Sequence, residues 1–173
     1  MPASRSRARW IDTPAATIER LIAINVTAPT LLARTAARAF AGRGRGGIIN
    51  LSSVLALAPE MFEATYSATK AFVLTLSQGL AHELCDTGVR VQAVLPGATR
   101  TEIWARSGKD VNAIPAEFVM DPADLVEAAL LGFERGEVVT ISPLADADGG
   151  AGGAVLQLQS GAARAGGSSA AFH

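Results

Sequence analysis

Two hydrophobic patterns alternate along the chain, one with a helical period and one made of short continuous apolar runs. Ile18, Leu21 and Ile22 recur at helical spacing, and this pattern predicts a long helix from about 14 to 41. Pro29 lies inside that stretch and is a possible kink, because proline has no amide hydrogen to donate. The glycine-rich segment 42–47 ends the helix.

The rest of the pattern repeats this alternation. Continuous apolar runs predict strands at about 47–52, 89–95 and 137–141. Helical periods predict helices from Thr65 to Asp86 and from Asp121-Pro122 to about 134. Helices that alternate with buried strands are typical of a parallel sheet, so we expect an α/β fold. The fold class is a partial doubly wound parallel sheet, Rossmann-like, with about three strands and flanking helices.

The two ends of the chain do not follow this pattern. Residues 1–11 are expected to form an irregular segment, and residues 12–143 the folded domain. Residues 144–173 are rich in Ala and Gly with few large apolar groups, so we expect a disordered tail.

Composition narrows the class of protein. Lys and Arg number 15 against 16 Asp and Glu, a net charge of −1 that indicates no nucleic-acid partner. Cys85 is the only cysteine, which excludes an intramolecular disulfide scaffold. No apolar run reaches the roughly 20 residues of a membrane span, so we expect a cytoplasmic protein with no membrane partner. We also expect no metal.

Candidate chemistry begins with a tyrosine and a lysine. Tyr66 and Lys70 are four residues apart on a predicted helix, so the phenol and the ammonium share one face. A nearby positive charge favours the phenolate and is expected to lower the tyrosine pKa. Ser53 follows the strand at 47–52, and the strand ends of open α/β sheets carry the chemistry.

Two motifs are misleading. The segment Gly42–Gly47 satisfies the dinucleotide pattern G-x-G-x-x-G, but it follows a helix and precedes a strand, which is the reverse of the required order. The segment Ser67–Lys70 satisfies S-x-x-K of penicillin-binding serine enzymes, but the partner motifs S-D-N and K-T-G do not occur.

Ser53, Tyr66 and Lys70, with Asn25 upstream and Leu95-Pro96-Gly97 downstream, resemble the catalytic half of the short-chain dehydrogenases/reductases over about residues 12–142. In that family the catalytic serine lies thirteen residues before the tyrosine, so the resemblance implies Ser53 rather than Ser52 as the catalytic serine.

The resemblance implies a role for each residue. Ser53 would bond the substrate oxygen and Tyr66 would transfer the proton. Lys70 would lower the tyrosine pKa and hold the cofactor ribose, and Asn25 would hold a water in a relay to Lys70. The cofactor-binding residues would be Tyr66, Lys70, Pro96, Gly97 and Thr101, with NAD or NADP as cofactor and a small carbonyl or alcohol as substrate.

Two further expectations concern the loop after the last of these motifs and the state of association. Trp104, Phe118 and Met120 either shape the substrate site or pack in the core, and the sequence leaves both open. The long helices are expected to form a homodimer or tetramer.

The strand, glycine-rich turn and helix with which such enzymes begin do not occur in the sequence. Two hypotheses therefore remain open. The chain belongs to an NAD(P)-dependent oxidoreductase truncated at its ends, or it is a catalytically silent remnant or partner-binding fragment.

Overall fold

The fold was analysed in a computed structural model, which describes residues 10–106 and 110–141. The Ala/Gly-rich segment 144–173 and most of the N-terminal segment 1–11 lie outside the described residues. Trp10–Asp12, where the description begins, forms a short 3₁₀ turn.

A three-stranded parallel sheet forms the centre of the fold. Its strands are β1 (Gly46–Leu51), β2 (Val89–Leu95) and β5 (Val139–Ile141), in the order β1-β2-β5. Gly46 pairs with Val89 and Ala93 pairs with Val139, both in parallel register. The predicted parallel α/β fold is therefore confirmed.

Helices cover both faces of this sheet. The helices are α1 (Ala15–Ile22), α2 (Ala28–Ala41), α3 (Ala64–Glu83), α4 (Ile103–Arg106) and α5 (Pro122–Glu134), and of these α2, α3 and α5 pack against the strands. A side chain at Gly46 would meet Phe40 of α2, and one at Gly47 would meet Phe133 of α5. Because adjacent strand residues point to opposite faces, α2 and α5 lie on opposite sides of β1.

The stretch 15–41 is helical throughout, but a five-residue π segment, Ala23–Thr27, separates α1 from α2. Pro29 explains the position of this wider turn, because it has no amide hydrogen for the carbonyl of Asn25 four residues earlier. The kink expected at Pro29 thus takes the form of a π turn just before it.

The core lies between α2, α3 and the first two strands. Buried apolar residues of this cluster include Ala33, Ala37, Ile48, Val89 and Val91. β2 is the central strand, and Ala93, Val94 and Leu95 are fully buried there. Helices on both sides of β2 account for this continuous apolar run.

The sheet edge and several helix faces remain exposed. Ile49 and Leu51 of β1 are 38% and 58% exposed, and Leu32 of α2 is 71% exposed.

Sequence reasoning missed one local element. Ala98–Thr99 (β3) pairs in parallel with Val119–Met120 (β4), in a segment expected to be a loop. The indole N–H of Trp104 donates to the carbonyl of Thr99 at 2.7 Å, so Trp104 supports this pair from the side. The helix expected to reach Asp86 ends at Glu83, and a 3₁₀ turn follows at Cys85–Thr87.

Candidate active site

Ser53 lies at the carboxyl end of β1, beside the end of β2. The amide of Ser52 donates to the carbonyl of Val94 at 2.8 Å, and the amide of Val54 donates to the carbonyl of Pro96 at 3.0 Å. These bonds extend the β1–β2 pairing past the strands and bring Ser53 next to the Pro96-Gly97 turn. The Ser53 hydroxyl oxygen also accepts the amide N–H of Leu55 at 3.2 Å and caps a 3₁₀ turn.

Tyr66, in the first turn of α3, is brought to the same edge. Its hydroxyl is hydrogen-bonded to the Ser53 side chain. The ring of Phe62 packs against the tyrosine ring edge to face, with 5.4 Å between centroids. Ser53 is 6% exposed and Tyr66 is half-buried, so the two hydroxyls meet in a site with little access to bulk water.

Burial raises the pKa of the Tyr66 phenol, while the hydrogen bond from Ser53 acts in the opposite direction. The sequence had predicted that Lys70 would lower this pKa, and the structure corrects that expectation. Desolvation of the phenolate is the larger effect, and the Phe62 ring packed against Tyr66 contributes to this burial.

Lys70 lies one helical turn beyond Tyr66. Its ammonium Nζ donates to the carbonyl of Leu51 at 3.0 Å and lies 5.7 Å from the centre of the Tyr66 ring. Burial lowers the pKa of Lys70, because the charged form loses hydration. An ammonium has three hydrogens to donate, and the bond to Leu51 uses one of them.

Asn25 reaches this group from the π segment. Its Nδ2 donates to the hydroxyl oxygen of Thr69 at 3.1 Å, and that hydroxyl donates to the carbonyl of Tyr66 at 2.7 Å. Sequence reasoning did not single out Thr69. Its spacing of three residues from Tyr66 was the available signal, because residues three apart on a helix are neighbours.

The remaining predicted residues differ in how near they lie. Pro96 and Gly97 are half-buried beside Ser53, and the Thr99 hydroxyl donates to the carbonyl of Gly97 at 3.3 Å. Thr101 lies beyond β3 with its side chain exposed. The structure thus brings together Asn25, Ser53, Tyr66, Lys70, Pro96 and Gly97, and leaves Thr101 at the margin.

The donor set fits the nicotinamide half of a dinucleotide. The free hydrogens of the Lys70 ammonium and the Tyr66 hydroxyl suit ribose hydroxyls, and the adjacent Pro96-Gly97 turn carries no charge that would oppose a ring. The glycine-rich Gly42–Gly47 loop lies between α2 and β1, at the opposite end of the sheet, and does not open a helix. It therefore does not offer the helix N-terminus that a pyrophosphate requires.

Other kinds of site receive no support from the described residues. Within 10–106 and 110–141, no group of three or more His, Cys, Asp or Glu side chains is placed to hold a metal ion. No helix in the part of the chain that the structure describes is long and apolar enough to cross a membrane.

A parallel Rossmann-like sheet with a serine, a tyrosine and a lysine at its carboxyl edge defines the class of this protein. Residues 5–112 match the family model described as short chain dehydrogenase. The chain belongs to the short-chain dehydrogenase family.

Two curated relatives and two solved structures show the extent of the similarity. The chain is 37% identical over 116 residues to 2,5-dichloro-2,5-cyclohexadiene-1,4-diol dehydrogenase LinX of Sphingobium indicum, covering 64% of this chain and 46% of LinX. It is 33% identical over 129 residues to human (3R)-3-hydroxyacyl-CoA dehydrogenase, covering 70% of this chain and 49% of that protein. The chain spans about half the length of the curated relatives it matches.

Two solved structures are more similar in sequence to this chain than the two curated relatives above. A short-chain dehydrogenase from Sphingobium yanoikuyae in complex with NADPH is 48% identical with a TM-score of 0.77, over 94% of this chain and 60% of that one. The bulky-bulky ketone specific alcohol dehydrogenase from Comamonas testosteroni is 42% identical with a TM-score of 0.70, over 96% of this chain and 61% of that one.

Proposed function

We propose that this chain carries the proton-transfer site of an NAD(P)-dependent oxidoreductase that interconverts a small carbonyl and its alcohol. One observation carries the proposal: the Tyr66 hydroxyl is bonded to Ser53 while the Lys70 ammonium lies on the next helical turn. A hydroxyl pair of this kind can hold a substrate oxygen from two sides as charge develops on it.

Each residue then has a distinct task. Ser53 orients the substrate oxygen through its hydroxyl, and Tyr66 donates a proton to that oxygen during reduction and takes it back during oxidation. The Lys70 ammonium holds ribose hydroxyls through the hydrogens that its bond to Leu51 leaves over. Asn25 serves the relay that returns protons to Lys70.

The cofactor is NAD or NADP. The S. yanoikuyae enzyme was solved with NADPH and a short-chain dehydrogenase from Burkholderia cenocepacia with NADP, which supports a nicotinamide cofactor here. When bound, it supplies or accepts the hydride. Tyr66, Lys70, Pro96, Gly97 and Thr101 are the residues we propose to hold its nicotinamide half, and residues 12–143 are the domain that carries the site.

A partner is proposed as well. The two long helical stretches, 15–41 and α3, expose Leu31, Leu32 and Phe72, which supports a homodimer or tetramer through these faces. Light scattering tests this, because a monodisperse monomer at micromolar concentration contradicts it. The silent-remnant hypothesis is not favoured by the match to dehydrogenases.

The proposed function is tested by following NAD(P)H oxidation by the protein with a panel of ketones and aldehydes. We expect turnover, and we expect Lys70→Met to lose most of it because the variant keeps the stem and removes the ammonium. The matched control is Arg135→Met, which removes an exposed positive charge at the end of α5, away from the site. No turnover with any carbonyl, or equal rates for Lys70→Met and Arg135→Met, would contradict the proposal.

A further inference from the structure

The Thr69 hydroxyl is shared by two groups of the candidate active site. It is 3% exposed, it donates to the carbonyl of Tyr66 at 2.7 Å and it accepts Nδ2 of Asn25 at 3.1 Å. A hydroxyl has one hydrogen, and here that hydrogen is committed to the carbonyl of Tyr66. Its lone pairs are therefore aimed at Asn25, so the orientation of one bond fixes the other.

Asn25 has few other constraints. It lies in the π segment Ala23–Thr27, where Pro29 withholds the amide that an α-helix would give to the Asn25 carbonyl. Neither α1 nor the π segment contains a buried residue, so packing restrains this stretch weakly. Asn25 of the π segment donates to Thr69 of α3. The 3₁₀ turn before α1 is also joined to α3, because Trp10 Nε1 donates to the Thr65 hydroxyl at 2.8 Å.

We propose that Thr69 is a positioning residue, which fixes the Asn25 carboxamide to the helical turn that carries Tyr66 and Lys70. Its kinetic consequence rests on the proposed function, whereas the hydrogen bond itself does not. Thr69 acts through Asn25 and touches no reacting atom.

The same helix provides a matched control. The Ser77 hydroxyl, fully buried, donates to the carbonyl of Val73 at 2.7 Å and accepts Nδ2 of Asn50 at 2.9 Å. The pattern is that of Thr69, two turns further along α3, but its asparagine belongs to β1. A merely structural role would make the two hydroxyls equivalent.

The hydrogen bond is tested by nuclear magnetic resonance on the chain with labelled asparagine. Its three asparagines, Asn25, Asn50 and Asn112, give three pairs of side-chain amide signals. The exposed Asn112 amide donates to Asp110 at 3.0 Å, so the reference for Asn25 is the same chain unfolded in urea. We expect the Asn25 amide to exchange with water more slowly in the folded chain than in the unfolded chain. Equal exchange rates would overturn the proposal without any variant.

Variants sharpen this measurement. Thr69→Val keeps the shape and removes the hydroxyl, so Asn25 exchange should accelerate about tenfold, the usual effect of one lost hydrogen bond. Thr69→Ser should retain slow exchange. Ser77→Ala should accelerate Asn50 and leave Asn25 unchanged. An Asn25 signal that is the same in Thr69→Val as in the unchanged chain contradicts the proposal.

The effect of Thr69 on turnover is tested by a double-mutant cycle with Asn25. Thr69→Val should lower kcat about tenfold with little change in KM, and should add nothing to the loss caused by Asn25→Ala. Losses that multiply in the double variant would show that Thr69 does not act through Asn25, and would overturn the positioning role. Absence of turnover in the unchanged protein would count against the proposed function, whereas the exchange measurement decides the hydrogen bond separately.

Discussion

Replacing Ser53 by Ala should raise the pKa of Tyr66 above its already raised level. The Ser53 hydroxyl is the group that lowers this pKa, so its removal leaves burial unopposed. Ser52→Ala is the matched control, because Ser52 is also buried but its hydroxyl donates to the carbonyl of Lys70 at 2.7 Å. Ser52→Ala should therefore leave the Tyr66 pKa unchanged.

The cost in stability can be worked from the same contacts. Ser53 accepts the amide of Leu55 as a cap, which is worth about 1 kcal/mol. Its bond to Tyr66 adds about 1 kcal/mol, so Ser53→Ala should lower the free energy of unfolding by about 2 kcal/mol. Ser52→Ala loses one bond to a main-chain carbonyl and should cost about 1–2 kcal/mol. Stability alone barely separates the two variants, whereas the pKa separates them clearly.

The assay is an ultraviolet titration of the phenol. Tyr66 is the only tyrosine of the chain, so the phenolate absorbance reports on this residue alone. A Tyr66 pKa that stays the same or falls in Ser53→Ala would refute the reasoning. So would an equal shift in Ser52→Ala, since the two serines would then act through general packing.

Two further predictions rest on the backbone at Gly88 and on the burial of Tyr66. Gly88 has φ +74°, and a side chain there would meet the carbonyl of Gly44. Gly88→Ala should therefore lower the free energy of unfolding, measured by urea titration, by at least about 1–2 kcal/mol. The control is Gly79→Ala, which lies in open space on α3 and should not destabilise the fold. The folded pKa of Tyr66 lies above 10.0, so the stability that its phenol contributes is present below pH 10.0 and is lost as the pH rises through the folded pKa. The difference in free energy of unfolding between the unchanged chain and Tyr66→Phe, measured by urea titration, should therefore shrink as the pH rises above 10.0. A difference that grows with pH would contradict this prediction.

Much of the fold followed from the sequence because its elements are long and sharply bounded. β2 has five apolar residues among its seven and lies between Gly88 and Pro96, and a short segment of this kind with such clear ends has few alternatives to a buried strand. The strands β3 and β4 were not predicted, because two-residue strands have no hydrophobic periodicity to detect. The end of α3 was placed three residues late, since a 3₁₀ turn continues the helical pattern through Thr87.

The candidate site divides in the same way. The family resemblance selected Ser53 over Ser52, although both are buried serines with hydrogen bonds. In the structure Ser53 is the serine that is hydrogen-bonded to the Tyr66 hydroxyl. The direction of the Tyr66 pKa could not be read from spacing, because it depends on burial at the sheet edge. Thr69 was equally hidden, since its partner Asn25 is 44 residues away in sequence.

The central claim is that Tyr66 transfers a proton to a substrate oxygen. Its most direct test is the rate of carbonyl reduction by Tyr66→Phe compared with the unchanged protein, with the folding of both checked by circular dichroism. We predict a loss of about 100-fold to 10,000-fold with the fold retained, as general acid catalysis contributes that much. A loss below about tenfold would contradict the account, because the phenol would then not be the proton donor.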